Sequence, residues 1–276
     1  MKAPESPAVA GVSVLSPDGD FVDLLRKKGV SLFSTPPESG LRHDPSFTSG
    51  ATTVVAFYYR EGALIAGDRR ATAGNLVIYD RAEKVLEIDR YAVLAIAGTP
   101  ATAYEMARVL QHSVEFYRRS QLQPLSLEAK VRMLGKLLKD NLGWALQGVG
   151  MVVPILVAVD ALHKGHPQIF FYDALGAQFQ AVDFATSGSG SLAVRSVLHY
   201  INRWSGYPTH QRGEKEAIAL ALQLLEVAAQ SDTATGGVDR RSGVYPQIKL
   251  VREGGVQSIP EERVREAYRE MALEMG

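Results

Sequence analysis

The residues with the clearest chemical potential lie where a Pro-rich leader meets a run of strand-forming residues. Thr52 and Thr53 follow Gly50 and Ala51 and precede the apolar segment 54–57. A threonine hydroxyl inside a chain is a weak nucleophile, because no nearby base takes its proton. If the chain is cut before Thr52, the freed α-amine, with a reference pKa of about 7.7–8.0, can act as that base. The sequence therefore predicts a precursor whose active form begins at Thr52.

Two charged residues downstream could assist such a nucleophile. Asp68 follows the strand-like segment 63–67, and Lys84 stands at the start of another, 84–89. A partly buried lysine can have a lowered pKa and take part in proton transfer, and its ammonium then needs a counter-ion such as Asp68. Alone, either residue could belong to an ordinary surface salt bridge. Together with Thr52 they indicate a catalytic centre.

Two glycine-containing motifs could complete such a site. Gly98 ends the segment 95–98 and would let a substrate carbonyl approach its backbone N–H, although it could simply end a strand. The segment 187–191, Ser-Gly-Ser-Gly-Ser, precedes a helical pattern, and 231–237 follows another. By itself 187–191 could be an anion-binding loop, but it lacks a Walker lysine pattern.

This ordered set of motifs, from Thr52 to 231–237, resembles the catalytic β subunit of the 20S proteasome. The resemblance is greatest to the bacterial, actinobacterial-type form of this T1 threonine peptidase family, and it runs from Thr52 to about Glu262. It implies the fold of the N-terminal nucleophile hydrolases and the activity of a threonine endopeptidase made as a self-processing precursor. The processing site would be the bond between Ala51 and Thr52.

The resemblance also implies a role for each matching residue. Thr52, Asp68 and Lys84 correspond to the family's catalytic threonine, aspartate and lysine, and Gly98 to its oxyanion donor. The residues that match those around the free α-amine are Ser189, Asp232 and Thr235.

The positions that match the family's first specificity pocket are all uncharged. An apolar pocket favours an apolar substrate side chain before the scissile bond, so we expect chymotrypsin-like cleavage. Thr72 would pair main chain to main chain with an extended peptide, which leaves sequence selectivity loose. The pocket positions are Ala71, Ala82, Leu86, Ile96 and Pro100, with Tyr104 beside them.

One residue departs from the family pattern. Ala51 stands where the family usually has glycine. Self-cleavage needs an unusual backbone geometry at this residue, which glycine reaches more easily than alanine. We therefore expect processing that is slower than in glycine-bearing relatives but still occurs.

Composition limits the classes of function. Lys and Arg total 30, as do Asp and Glu, so a zero net charge implies no polyanion partner such as a nucleic acid. The absence of cysteine excludes disulfides, thiolate metal sites and a cysteine nucleophile. The six histidines show no metal-ligand spacing, and we expect neither metal nor cofactor. Without a secretory signal or an apolar run long enough to span a bilayer, we expect no membrane partner and a cytoplasmic location.

The chain divides into a leader, 1–51, and one catalytic domain, 52–276. Six of the 13 prolines lie in the leader, which is typical of an extended segment. Its ordered-looking piece is a short helix over 20–29, on which Phe21, Leu24 and Leu25 share a face.

Beyond Thr52 the pattern is strands, a helix pair, strands, a helix pair and a strand. This order suits two stacked sheets covered by helices on both outer surfaces, an α+β fold. The resemblance identifies it as the four-layer αββα sandwich of N-terminal nucleophile hydrolases. Strands are predicted near 53–60, 63–68, 75–79, 84–89, 91–97, 152–160, 168–173, 177–184 and 245–251. Helices are predicted through Ala103–Tyr117 and Leu127–Ala145, over 190–204 and 214–230, and from about 261.

The partners implied by the resemblance are those of a proteasome core particle. They are other β subunits in heptameric rings, proteasome α subunits, a ring-shaped unfoldase ATPase and unfolded protein substrates. Three alternatives remain open: a latent, non-catalytic ring subunit that keeps its leader, a two-ring protease of the HslV type, and another hydrolase of the same fold, such as an amidase. The first conflicts with the presence of Thr52, Asp68 and Lys84, and the second with Arg69-Arg70 and the 232–237 segment.

Overall fold

The computed structural model describes residues 19–30, 52–74, 76–163 and 165–274. Most of the predicted leader, including the processing residue Ala51, lies outside the described residues. The strands are β1 Thr53–Tyr59, β2 Gly62–Gly67, β3 Ala71–Ala73, β4 Leu76–Tyr79, β5 Val85–Asp89, β6 Ala92–Ala95, β7 Ile155–Ala158, β8 Gln168–Tyr172, β9 Gln178–Gln180, β10 Phe184–Gly188, β11 Gln247–Arg252 and β12 Gly255–Ser258. The helices are α1 Phe21–Lys27, α2 Pro100–Gln121, α3 Leu127–Asp140, α4 Leu142–Leu146, α5 Ser191–Trp204, α6 Glu214–Ser231 and α7 Glu261–Glu274, with a 3₁₀ turn at Thr209–Gln211.

Two antiparallel five-stranded sheets form the centre of the molecule. The first has the order β10-β1-β2-β11-β12 and the second β5-β6-β7-β8-β9, while β3 and β4 form a separate hairpin. A tight turn at 60–61 joins β1 to β2, and the pairing of Phe57 with Leu64 sets their register. The predicted α+β class and αββα sandwich are thereby confirmed.

Burial on both faces explains why the central strands are continuously apolar. On β2, Leu64 packs towards α5 and α6, whereas its neighbour Ile65 faces the second sheet. On β6, Val93 faces the first sheet and Leu94 packs towards α2 and α3. A strand enclosed on both sides loses the alternation of polar and apolar residues that marks a half-exposed strand.

The helical layers follow the predicted periodicity, with one interruption. Ser126 caps α3 by accepting a hydrogen bond from the backbone N–H of Ala129. The single helix predicted through Ala145 was wrong, because α3 ends at Asp140. Asn141 follows it and donates its side-chain N–H to the carbonyl of Gly150, 2.7 Å away. Within the described ranges, no helix combines the length and apolar character that a membrane-spanning segment requires.

The single strand predicted over 177–184 was also wrong, because β9 ends at Gln180 and a strand of the other sheet, β10, begins at Phe184. β9 pairs with β8 in the second sheet, and β10 then pairs with β1 in the first. Val182, in the crossing between them, is exposed. The segment 187–191 is accordingly only partly a loop, since Ser187 and Gly188 end β10. The short strands β3 and β12 were not predicted, and of β10 only its first residue, Phe184, lay in a predicted strand.

The predicted leader helix is present as α1, but a different residue is buried. Asp20 caps it by accepting from the N–H of Asp23. Val22 inserts into the core beside α2, while Leu24, predicted on the packed face, is exposed. Phe21 packs against the ring of Phe116 with centroids 5.6 Å apart. A seven-residue helix cannot be stable alone, so this docking holds it.

Candidate active site

Antiparallel pairing of β1 and β2 brings the predicted nucleophile and carboxylate together. Thr52 immediately precedes β1 and Asp68 immediately follows β2. The N–H of Asp68 donates to the carbonyl of Thr53 at 3.1 Å, which extends the ladder by one bond. Residues 16 apart in sequence thus meet at one end of the first sheet.

Asp68 is fully buried and accepts four hydrogen bonds. Its Oδ1 accepts from the backbone N–H of Thr53 at 2.9 Å and from Nζ of Lys84 at 2.7 Å. Its Oδ2 accepts from the backbone N–H groups of Arg70 and Gly236, both at 2.9 Å. Because a carboxylate has about four acceptor positions, this set holds the side chain in one orientation.

Lys84 lies between the two sheets, just before β5, and is 4% exposed. Its Nζ donates to Asp68 and, at 2.5 Å, to the carbonyl of Arg70. Burial lowers the pKa of Lys84 below its ordinary value, and the nearby Asp68 carboxylate offsets only part of that effect. The ammonium is therefore a better proton donor than an exposed lysine and is fixed in position.

The structure distinguishes the two adjacent threonines. Thr53 is fully buried, and its Oγ1 accepts from the N–H of Gly190 at 3.1 Å and lies 2.6 Å from Oγ1 of Thr235. Thr52 instead lines a pocket, and its carbonyl accepts from the N–H of Ser189 at 2.8 Å. Of the two threonines, only Thr52 lines this pocket.

Ser189, Asp232 and Thr235 form one hydrogen-bonded cluster beside Thr52. Both hydroxyls donate to Oδ2 of Asp232 at 2.5 Å, and Oγ of Ser189 lies 3.4 Å from the carbonyl oxygen of Thr52. Burial acts to raise the pKa of Asp232, but the hydrogen bonds from Ser189 and Thr235 outweigh it and lower that pKa. Since Thr235 donates to the carboxylate, Thr53 must donate to Thr235.

Two glycines near Thr52 allow neighbouring backbone segments to approach more closely than a side chain would permit. Gly188 has φ +99°, and a Cβ there would lie 1.8 Å from the carbonyl oxygen of Thr52. A Cβ at Gly98, whose φ is +115°, would lie 2.0 Å from the carbonyl oxygen of Met151. Glycine alone fits both positions. Gly98 also lines the pocket beside Thr52, where the oxyanion donor was predicted.

The pocket has a volume of about 580 Å³ and contains most of the predicted specificity residues. Two predicted substrate-binding residues are not among the described residues that line it. Leu86 packs against the core beneath α2, and Thr72 is buried within the β3–β4 hairpin. The predicted residues that do line the pocket are Ala71, Ala82, Ile96, Pro100 and Tyr104.

Sequence reasoning missed several residues of the site. The pocket wall also includes Tyr79 and the charged residues Arg69, Arg81 and Glu83, so its lining is less uniformly apolar than predicted. Arg70 was noted only as part of a motif. Its guanidinium donates to the carbonyls of Thr233 and Thr235 at 3.0 and 3.3 Å, which ties the 232–235 loop to the Asp68 strand. Its position two residues after Asp68 could have indicated from the sequence that Arg70 belongs to the site.

Known proteins are similar to this chain over most of its length. The family model for proteasome subunits matches residues 48–240, well over half of the chain. Proteasome subunit beta 1 of Streptomyces avermitilis is 36% identical over 258 residues, covering 92% of this chain and 88% of that protein. Proteasome subunit beta 2 of Thermomonospora curvata is 37% identical over 246 residues, covering 89% and 85%. Proteasome subunit beta of Jonesia denitrificans is 34% identical over 255 residues, covering 90% and 79%. Since the family model matches well over half of the chain and these relatives are at least 34% identical over most of it, the chain belongs to the proteasome subunit family.

Proposed function

We propose that this chain is a threonine endopeptidase, the catalytic β subunit of a 20S proteasome core. The observation that carries the proposal is the position of Thr52 in a pocket that also contains Lys84, itself bonded to buried Asp68. An inert subunit would have no need to bury a lysine and an aspartate beside a threonine. The chain is made as a precursor, and residues 1–51 are a propeptide.

Activation begins with attack by Oγ of Thr52 on the carbonyl carbon of Ala51. The Ala51–Thr52 amide bond breaks, the proton of Oγ passes to the departing nitrogen, and an ester forms at Oγ. The Thr52 amine is free once this bond has broken, and water then hydrolyses the ester, which releases residues 1–51 as a carboxylic acid and restores the Thr52 hydroxyl. The hydrogen-bonded cluster of Ser189, Asp232 and Thr235 then holds this amine as the general base.

Peptide cleavage uses the same atoms. Oγ of Thr52 attacks the scissile carbonyl while its proton passes to the α-amine. The Gly98 N–H stabilises the developing oxyanion, a contribution of about 10²–10³ in rate for one donor. The C–N bond breaks as the leaving amine takes the proton, and water then hydrolyses the acyl ester. Lys84 supports the attack electrostatically, because its fixed ammonium favours loss of the hydroxyl proton.

A closed chamber around the active sites would limit which proteins reach them, and this supplies the selectivity that a loosely specific site lacks. We propose that the chain assembles into heptameric β rings stacked on rings of α subunits, with Thr52 facing an inner chamber. A ring-shaped unfoldase ATPase would deliver unfolded protein substrates to this chamber in the cytoplasm. The printed names of the relatives, which are proteasome β subunits, support this proposal.

Intact-mass spectrometry of the chain co-assembled with its α partner tests the proposal. Loss of residues 1–51, leaving a chain that begins at Thr52, is the expected result. A mass that retains all 276 residues after assembly would overturn the self-processing proposal and favour a latent ring subunit.

Ala51→Gly is expected to accelerate maturation. Removal of the Cβ widens the backbone conformations available to the scissile residue, so the geometry needed for attack forms more often. The fraction of processed subunit should be followed by intact mass at intervals after mixing with α subunits. Ala56→Gly, a change of the same type within β1, is the control for general effects on folding. An unchanged maturation rate in Ala51→Gly would show that alanine does not limit processing.

Peptides with Leu, Phe or Tyr before the scissile bond are expected to be cleaved most efficiently. Burial of an apolar side chain among Ala71, Ala82 and Ile96 contributes about 1.5–3 kcal/mol, a preference of roughly 10- to 100-fold in kcat/KM. The measurement compares fluorogenic peptides that differ only at this residue. Comparable turnover of peptides with Arg or Glu before the scissile bond would contradict this preference. It would mean that the charged wall residues Glu83 and Arg81 determine which side chains the pocket accepts.

A further inference from the structure

We propose that Gln247 is a positioning residue for Lys84, acting through the backbone of the strand that carries the lysine. This inference rests on the proposed threonine endopeptidase function and adds a residue to its machinery. Gln247 begins β11 and is half-buried. Its carboxamide reaches from the first sheet to the second. Oε1 accepts hydrogen bonds from the backbone N–H groups of Lys84 at 2.7 Å and Val85 at 3.3 Å.

The edge position of β5 explains why this contact matters. β5 is the outermost strand of the second sheet, so only one of its sides pairs with a neighbour, β6. On that side the carbonyl of Lys84 accepts from the N–H of Ile96 at 2.9 Å. On the other side the Gln247 side chain takes the place of a partner strand. Without it, two backbone donors between the sheets would lose their acceptor, and a buried donor without an acceptor destabilises the local structure.

The same arrangement connects Gln247 directly to the strand that leads to Asp68. In the first sheet, Gln247 pairs with Gly67, the last residue of β2. A Cβ at Gly67 would lie 3.2 Å from Cγ2 of Val85 and 3.5 Å from Cβ of Lys84, so β5 packs closely on this point. Gln247 therefore fixes the separation between the backbone before Asp68 and the backbone of Lys84.

Fixing the backbone matters because a lysine side chain is long and flexible. The ends of the Lys84 and Asp68 side chains are already held, since Nζ of Lys84 donates to Asp68 and to the Arg70 carbonyl. A shift of the Lys84 backbone would lengthen these bonds or move the ammonium away from Thr52. Misplacement of a catalytic group by about 1 Å can cost roughly 10²-fold in rate. Gln247 thus acts on catalysis through Lys84 and does not touch the substrate.

Gln247→Leu and Gln247→Glu, in the full chain co-assembled with its α partner, test the proposal. Leucine removes the acceptor, and we expect kcat to fall about 10- to 100-fold with KM nearly unchanged. Glutamate keeps an acceptor oxygen and should restore most of kcat. Its added negative charge should also favour the ammonium form of Lys84, so activity should be lost at a higher pH than in the wild type. Gln168→Leu, a half-buried glutamine on β8, is the matched control and should keep the wild-type profile.

A second measurement separates this proposal from the proposed function. In Thr52→Ala assemblies, which need no activity, the ε-carbon resonance of Lys84 can be followed by NMR against pH and assigned with Lys84→Arg. A titration midpoint that differs between the Thr52→Ala assembly and the same assembly carrying Gln247→Leu would support positioning even if no peptidase activity is found. If neither the midpoint nor kcat responds to Gln247→Leu, or if Gln247→Glu fails to restore kcat lost in folded Gln247→Leu, the proposal is wrong.

Discussion

Thr52→Ala is expected to abolish both peptide hydrolysis and removal of the leader, while the fold remains intact. The substitution removes the nucleophilic hydroxyl, whereas the hydrogen bond from the Ser189 N–H to the carbonyl of residue 52 does not depend on the side chain. Hydrolases lose roughly 10⁶-fold in kcat when their nucleophile is removed, so activity should fall below detection. Fluorogenic peptide assays and intact mass on the same preparation measure both effects.

The neighbouring threonine supplies the decisive comparison. Thr53→Ala removes a fully buried hydroxyl that bonds Gly190 and Thr235, so it should lower stability. It leaves the Thr52 hydroxyl in place, and the chain should still be cut between Ala51 and Thr52. Thr52→Ser, which keeps a hydroxyl, should retain part of the activity. If Thr53→Ala abolished processing and Thr52→Ala did not, the assignment of the nucleophile would be wrong by one residue.

Lys84→Met is expected to lower kcat by about 10²–10⁴-fold, the range typical of a residue that assists proton transfer. Methionine fills similar space without the charge. Asp68 keeps three backbone N–H donors, from Thr53, Arg70 and Gly236, so the site should not collapse. Steady-state kinetics and thermal unfolding should be measured together on the assembled variant.

A second buried lysine provides the matched control. Lys130 in α3 is 1% exposed, and its Nζ lies 2.6 Å from a carboxylate oxygen of Asp89. Lys130→Met breaks a buried ion pair outside the pocket and should cost about 1–3 kcal/mol of stability without changing kcat of the folded enzyme. Equal losses of kcat in both lysine variants would indicate a structural role for Lys84.

The pH–rate profile provides an independent test of the role of Lys84. Hydrolysis needs the Thr52 amine neutral and the Lys84 ammonium charged. Activity should therefore rise with pH as the amine, with a reference pKa of about 7.7–8.0, loses its proton. It should fall again as Lys84 loses its own proton, at a pH below the ordinary lysine value of 10.5, because burial lowers the pKa of this group. In Lys84→Met the alkaline limb should disappear and the acid limb should remain.

Local pattern was sufficient for most of the elements that carry the site. Alternation and apolar runs predicted β1, β2, β5 and β6, and the helical spacing of apolar residues predicted α2, α5 and α6. Residue type and position beside a recognisable strand made Thr52, Asp68 and Lys84 candidates, and the resemblance to the proteasome β subunit gave each of them its expected role. These features depend on neighbours within a few residues, which a sequence displays directly.

The tertiary structure decided what depends on distant partners. The burial of the Thr53 hydroxyl depends on its contacts with residues 137 and 182 positions away. The exclusion of Leu86 from the pocket depends on which side of β5 faces α2. The Gln247 contact joins residues 163 positions apart across two sheets. The sequence by itself determined the elements and the reactive residue types, because these are set by local periodicity and chemistry. Only the packing of the sheets decided which atoms meet, because that depends on the three-dimensional separation of segments far apart in the chain.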